Sequence, residues 1–83
     1  MQNTGIVELD VHNMTWIQAK ACIDSKVKKA GKDVYVIRVI HGYNKGTAIR
    51  DKVRKEYRGN AKIKRVELGI NQGVTDLRLR DLI

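Results

Sequence analysis

The sequence predicts an α/β two-layer sandwich: a mixed four-stranded sheet with two helices on one face, in the order βαβαββ. Three patterns lead to this fold class. Residues 6–11 alternate, with Val7, Leu9 and Val11 on one side and Glu8, Asp10 and His12 on the other, the period of a strand. Behind them Trp16, Ala19, Ile23, Val27 and Ala30 recur at helical spacing. Residues 34–40 are rich in β-branched side chains and broken only by Arg38, as in a central strand covered on at least one face.

The first helix begins at a capping box, in which the Thr15 hydroxyl and the Gln18 side chain each satisfy the other's backbone N–H, and Gly31 is expected to end it as a left-handed cap. After the second strand comes the loop HGYNKGT. Thr47 then caps a second helix with an apolar stripe Ile49, Val53, Tyr57, which Gly59 stops. Residues 63–68 and 74–79 read as two further strands around a Gly-Ile-Asn-Gln-Gly turn. Right-handed crossovers, with strands one, two and three parallel, put both helices on the same side and leave the other sheet face open.

At 83 residues, 42% hydrophobic and without proline, the chain supports one domain, 1–83, whose first five and last two residues are loose ends. A multi-domain enzyme is excluded, and so is a disordered chain. The core is thin, so any site is an open one. The lone Cys22 cannot form an internal disulfide and reads as an inert, partly buried thiol, and there is no Cys/His set with zinc spacing. No run reaches the ~18 apolar residues of a membrane span and no signal-peptide pattern opens the chain. The expectation is a soluble cytoplasmic protein with no membrane partner.

Seventeen Lys and Arg against nine Asp and Glu give a net charge of +8. The excess is concentrated: fifteen basic and four acidic residues lie between Lys20 and Arg65, while the rest of the chain carries two basic and five acidic. So much positive charge on a small body favours a polyanionic partner, DNA or RNA, because each phosphate contact releases condensed counterions.

In a parallel α/β unit, ligands gather beyond the carboxyl ends of the strands. Asp10 and His12 lie at the end of the first strand and His41 directly after the second, so both histidines fall at one edge. Gly42 and Gly46 permit a tight turn, and the helix starting near Thr47 aims unpaired N–H groups at the same place, which makes a phosphate cradle. GYNKGT is not a nucleotide P-loop, and no GxGxxG fingerprint is present. An acid/base group beside an anion site remains, the set needed to cut a phosphodiester. Asp10 can orient a histidine or hold a divalent cation such as Mg2+; with few carboxylates nearby, histidine-led chemistry is favoured over a two-metal site. Arg50, Arg54 and Arg58 repeat every four residues as a guanidinium ridge which, with Lys45, can position a phosphate backbone, and Tyr43 can stack on an exposed base. Each of these residues also has a plainer reading, as a hydrogen-bonded loop residue, a strand-to-helix connection or a solvated helix face.

Leu9-Asp10-Val11-His12 resembles the LDxH signature, and His41-Gly42 with Gly46 the HGxG signature, of small MutS-related (Smr) domains; Gly73-Val74-Thr75 before the last strand and the element order agree. Asn13 stands where that family has glycine after LDxH, and Tyr43-Asn44-Lys45 spreads the HGxG glycines apart. The resemblance implies an endonuclease-like domain, nicking DNA or cleaving RNA, with Asp10, His12 and His41 as catalytic residues and Gly42 and Gly46 as the backbone of the substrate loop. On that basis His41 is expected to be the general acid/base, Asp10 its orienter or an ion ligand, and His12 an assistant. The Asp10 and His41 side chains are then expected to be near neighbours on an exposed edge. The alternatives are a non-catalytic RNA-binding module and an interaction domain of a MutS-related chain.

Overall fold

The computed structural model describes residues 5–42, 48–68 and 72–81. Six elements follow the expected order: β1 (Ile6–Asp10), α1 (Trp16–Lys29), β2 (Val36–Ile40), α2 (Ala48–Glu56), β3 (Arg65–Leu68) and β4 (Val74–Arg78). The sheet order is β1-β2-β4-β3, with β1 and β2 parallel and β4 antiparallel to both its neighbours. Strand three therefore points the same way as strands one and two, but β4 lies between it and them. The expected α/β two-layer architecture is present.

Strand register explains the layers. Val7, Ile37, Leu77 and Val66 form one row across the sheet, and Leu9, Val39 and Thr75 the next. These rows lie under the helices: Ala19 and Ile23 from α1 and Val53 from α2 join Val11, Ile37, Val39, Leu77, Tyr57 and Ile63 in one buried cluster. Helices α1 and α2 touch each other, so both pack on the same face. Tyr57 strengthens that seam by donating its hydroxyl to Asp24 Oδ1 at 2.6 Å, and Asp24 also accepts from Lys20 at 2.7 Å. Burial, reinforced by the Asp24 carboxylate, pushes the Tyr57 phenol far above its ordinary value, so it remains a donor.

The opposite face carries a charged row instead, Glu8, Arg38, Asp76 and Glu67. Arg38 meets Asp76 through two parallel bonds of 3.0 and 3.1 Å, and Arg78 donates to Glu67 at 2.9 Å. Charges on this face take the place of a second helical layer. Among the described residues, no helix is long and apolar enough to cross a membrane.

Local details follow the expected chemistry with two exceptions. The Thr15–Gln18 capping box is formed, with bonds of 3.0 and 3.2 Å. Helix α1, however, stops at an extended Ala30 whose N–H bonds the Val27 carbonyl; Gly31 is not left-handed, since the chain needs an extended exit to reach β2 rather than a reversal. Nor is residue 5 a loose end. Gly5 accepts from the N–H groups of both Tyr35 and Val36, has φ +79°, and a Cβ there would stand 2.3 Å from the Tyr35 ring. Gly5→Ala is expected to destabilise the protein by about 2 kcal/mol or more, through backbone strain and the displaced ring, and chemical denaturation would measure the loss.

Candidate active site

Parallel pairing brings the tails of β1 and β2 together: Asp10 sits opposite Ile40, and the Val11 N–H bonds the Ile40 carbonyl at 2.9 Å. Just beyond, Asp10 Oδ1 accepts twice from His12, from its backbone N–H at 3.1 Å and from ring Nδ1 at 2.5 Å. The first bond is an Asx-type turn that fixes the bend; the second makes an acid–imidazole pair. Both side chains are about half exposed, 54% for Asp10 and 52% for His12. The bond from His12 holds the Asp10 carboxyl below its usual range. With Nδ1 donating to Asp10, His12 Nε2 is the acceptor atom, and Asn13 Nδ2 lies 2.9 Å from it.

The second tail closes on the first. His41 and Gly42 both donate their N–H groups to the Gly73 carbonyl at 2.9 Å, so the turn before β4 anchors this loop. Gly42 has φ +72°, a conformation that favours glycine, and a Cβ there would meet His12 Cβ at 3.4 Å. Gly42 thus lies beside His12.

The His41 imidazole lies elsewhere. It is 4% exposed, with Nε2 2.8 Å from Thr75 Oγ1 and Nδ1 2.9 Å from the Gly42 carbonyl. Only Nδ1–H can donate to a carbonyl, so Nε2 accepts from the Thr75 hydroxyl, which itself accepts from Arg54 Nε at 2.9 Å. The expectation that Asp10 and His41 share an exposed edge is therefore corrected. Position 41 continues the helix-facing set Ile37 and Val39, whereas position 10 belongs to the opposite set with Ile6 and Glu8.

Burial, with Arg54 and Arg50 close by, pushes the His41 pKa below its usual 6.5. The unfolded chain therefore takes up a proton that the native state refuses. The stabilisation is complete above about pH 7 and is lost as the pH falls below 6.5 towards the depressed native value. Denaturant midpoints measured from pH 7.5 to 5.5 should fall in the wild type and fall less in His41→Gln.

The binding ridge is partly dismantled. Arg54 is half-buried, committed to Thr75 and to the Val74 carbonyl at 3.4 Å, because it lies between Val53 and Tyr57 on the packed side of α2. Arg50 leans on Asp51 and towards Gln72 Oε1 at 3.5 Å, while Arg58 is exposed and lies beyond the end of α2. Tyr43, Lys45, Gly46 and Thr47, expected to contact nucleic acid, lie outside the described residues.

The crystal structure of the Smr domain of Thermus thermophilus MutS2 matches 90% of this chain and 99% of its own, with a TM-score of 0.79 and 22% sequence identity. The chain has the Smr-domain fold. No family model and no curated protein sequence matches it. Within this Smr fold, the ends of β1 and β2 gather Asp10, His12 and Gly42 on one exposed edge and send His41 into the interior. The sequence pattern includes Thr75 in the resemblance but does not announce its bonds to His41 and Arg54, nor the contact of Asn13 with His12 Nε2; the alternation of β4, which puts Thr75 on the same face as Leu77, is the available signal for the first. For a divalent cation the donors do not fit: among the described residues no three His, Cys, Asp or Glu side chains gather, and Asp10 Oδ1 is already committed to His12.

Proposed function

We propose that this Smr-fold domain is an endonuclease that cleaves phosphodiester bonds, with the Asp10–His12 pair as its acid/base and RNA as the substrate that this pair serves most directly. The carrying observation is the half-exposed Asp10–His12 pair, with Gly42 beside His12. The net charge of +8 and the resemblance of residues 9–12 to the LDxH signature support the same reading.

In this reading His12 Nδ1–H stays on Asp10, and a substrate 2′-hydroxyl takes the place of the Asn13 amide at Nε2. Nε2 accepts the hydroxyl proton as the 2′-oxygen bonds to phosphorus; the bond to the 5′-oxygen breaks, and the imidazolium returns the proton to that leaving oxygen. Asp10 stabilises the imidazolium between these steps. His41 acts as a positioning residue through Gly42, and the exposed Lys52, Lys55 and Arg58 contribute positive charge for phosphate contacts. DNA lacks the 2′-hydroxyl, so nicking it requires an activated water and is expected to be slower.

A second reading, binding without cleavage, is favoured by the burial of His41, which leaves one exposed imidazole where two proton-transfer groups are common. The deciding experiment incubates the protein with labelled single-stranded RNA and with supercoiled plasmid, each in Mg2+ and in EDTA. Cleavage of RNA in EDTA supports the proposal; salt-sensitive binding with no cleavage of either substrate establishes the second reading instead.

A further inference from the structure

Half-buried Arg54 and the buried Thr75 and His41, all outside the exposed pair, form one directed chain of hydrogen bonds. Arg54 Nε donates to Thr75 Oγ1 at 2.9 Å, the Thr75 hydroxyl donates to His41 Nε2 at 2.8 Å, and His41 Nδ1–H donates to the Gly42 carbonyl at 2.9 Å. Each link fixes the direction of the next. A guanidinium has no acceptor, so Thr75 must spend its oxygen lone pair on Arg54 and its proton on His41; that leaves the His41 proton on Nδ1, aimed at Gly42. Thr75 is wholly buried, so no water competes for either position. At the far end, Gly42 lies beside His12: a Cβ on it would stand 3.4 Å from His12 Cβ.

We infer that Thr75, oriented by Arg54, is a positioning residue for the nucleolytic site: it locks the His41 tautomer that holds Gly42 beside His12. The kinetic side of this inference rests on the proposed phosphodiester chemistry; the structural side does not. The chain starts on α2 and β4, on the helix side of the sheet, and ends on the exposed edge, so it ties the registration of α2 to the geometry around His12.

The test uses 15N-labelled protein and the histidine ring and Gly42 amide resonances, with Thr75→Val, Thr75→Ser and Arg54→Met. The wild type should show His41 protonated on Nδ1 alone. Thr75→Val should lose that single tautomer and shift the Gly42 amide and the His12 ring signals, and Thr75→Ser should restore all three. Arg54→Met, which keeps Thr75 in place, should give a weaker version of the Thr75→Val pattern and serves as the informative variant if Thr75→Val does not fold. In the RNA assay, Thr75→Val or Arg54→Met should lower kcat about tenfold with KM little changed, as expected for a misplaced reacting group. A His41 tautomer, Gly42 amide and His12 ring that stay as in wild type in the folded variants would overturn the inference. Wild-type protein that shows the resonance pattern but cuts no nucleic acid would defeat the proposed function and leave the positioning chain standing.

Discussion

RNA cleavage by His12→Gln is expected to be slower than wild type by about 10²- to 10³-fold, and by Asp10→Asn by about 10- to 100-fold, with RNA affinity changed little. The order of the two effects follows from their roles. His12 Nε2 handles the proton, so its loss removes the transfer itself. Asp10 holds the ring through Nδ1 and stabilises its charged form, so an amide in its place weakens the transfer without abolishing it. Both side chains are half exposed, so neither substitution opens a cavity, and thermal unfolding of the variants should stay close to wild type. Single-turnover rates measured alongside filter-binding affinities would check the pattern. Equal losses in rate and affinity would point to a binding surface rather than an acid/base pair.

The largest effect on stability is expected from Leu77→Ala. Leu77 is completely buried in β4, paired on one side with Ile37 and on the other with Val66, so its removal leaves a void in the core cluster between sheet and helices. Such truncations cost about 2–5 kcal/mol. A domain of this size holds only about 4–12 kcal/mol in total, so the midpoint should drop by on the order of 15 °C, and the variant is expected to be partly unfolded at 37 °C. Leu68→Ala and Ile17→Ala provide the contrast: these side chains are 63% and 80% exposed, and each change should cost about 0.5 kcal/mol or less. Calorimetry on the three variants would rank them, and comparable losses at all three sites would contradict the placement of the core.

Much of this molecule is legible in its sequence because period and burial agree. Alternation in residues 6–11 and the stripe from Trp16 to Val27 specify β1 and α1, and Thr15 with Gln18 marks the helix start to the residue. Sheet order is less legible. Pairing of β4 with β2 joins segments some thirty-eight positions apart through Arg38 and Asp76, and no local pattern announces such a contact. The inward turn of His41 and Arg54 was present in the pattern but outweighed by residue type. Position 41 extends the parity of Ile37 and Val39, and position 54 sits beside Val53 on the packed stripe, yet histidine and arginine are ordinarily read as surface chemistry. What admits them to the interior is Thr75, a partner on a distant strand that leaves both with satisfied hydrogen bonds.

The end groups left on cleaved RNA test the central claim most directly. If the Asp10–His12 pair moves the proton of a 2′-hydroxyl, wild-type protein in EDTA should yield 5′-hydroxyl and 2′,3′-cyclic phosphate termini, and His12→Gln should yield almost none. Products bearing 5′-phosphate and 3′-hydroxyl ends, formed only with a divalent cation and undiminished by His12→Gln, would contradict it.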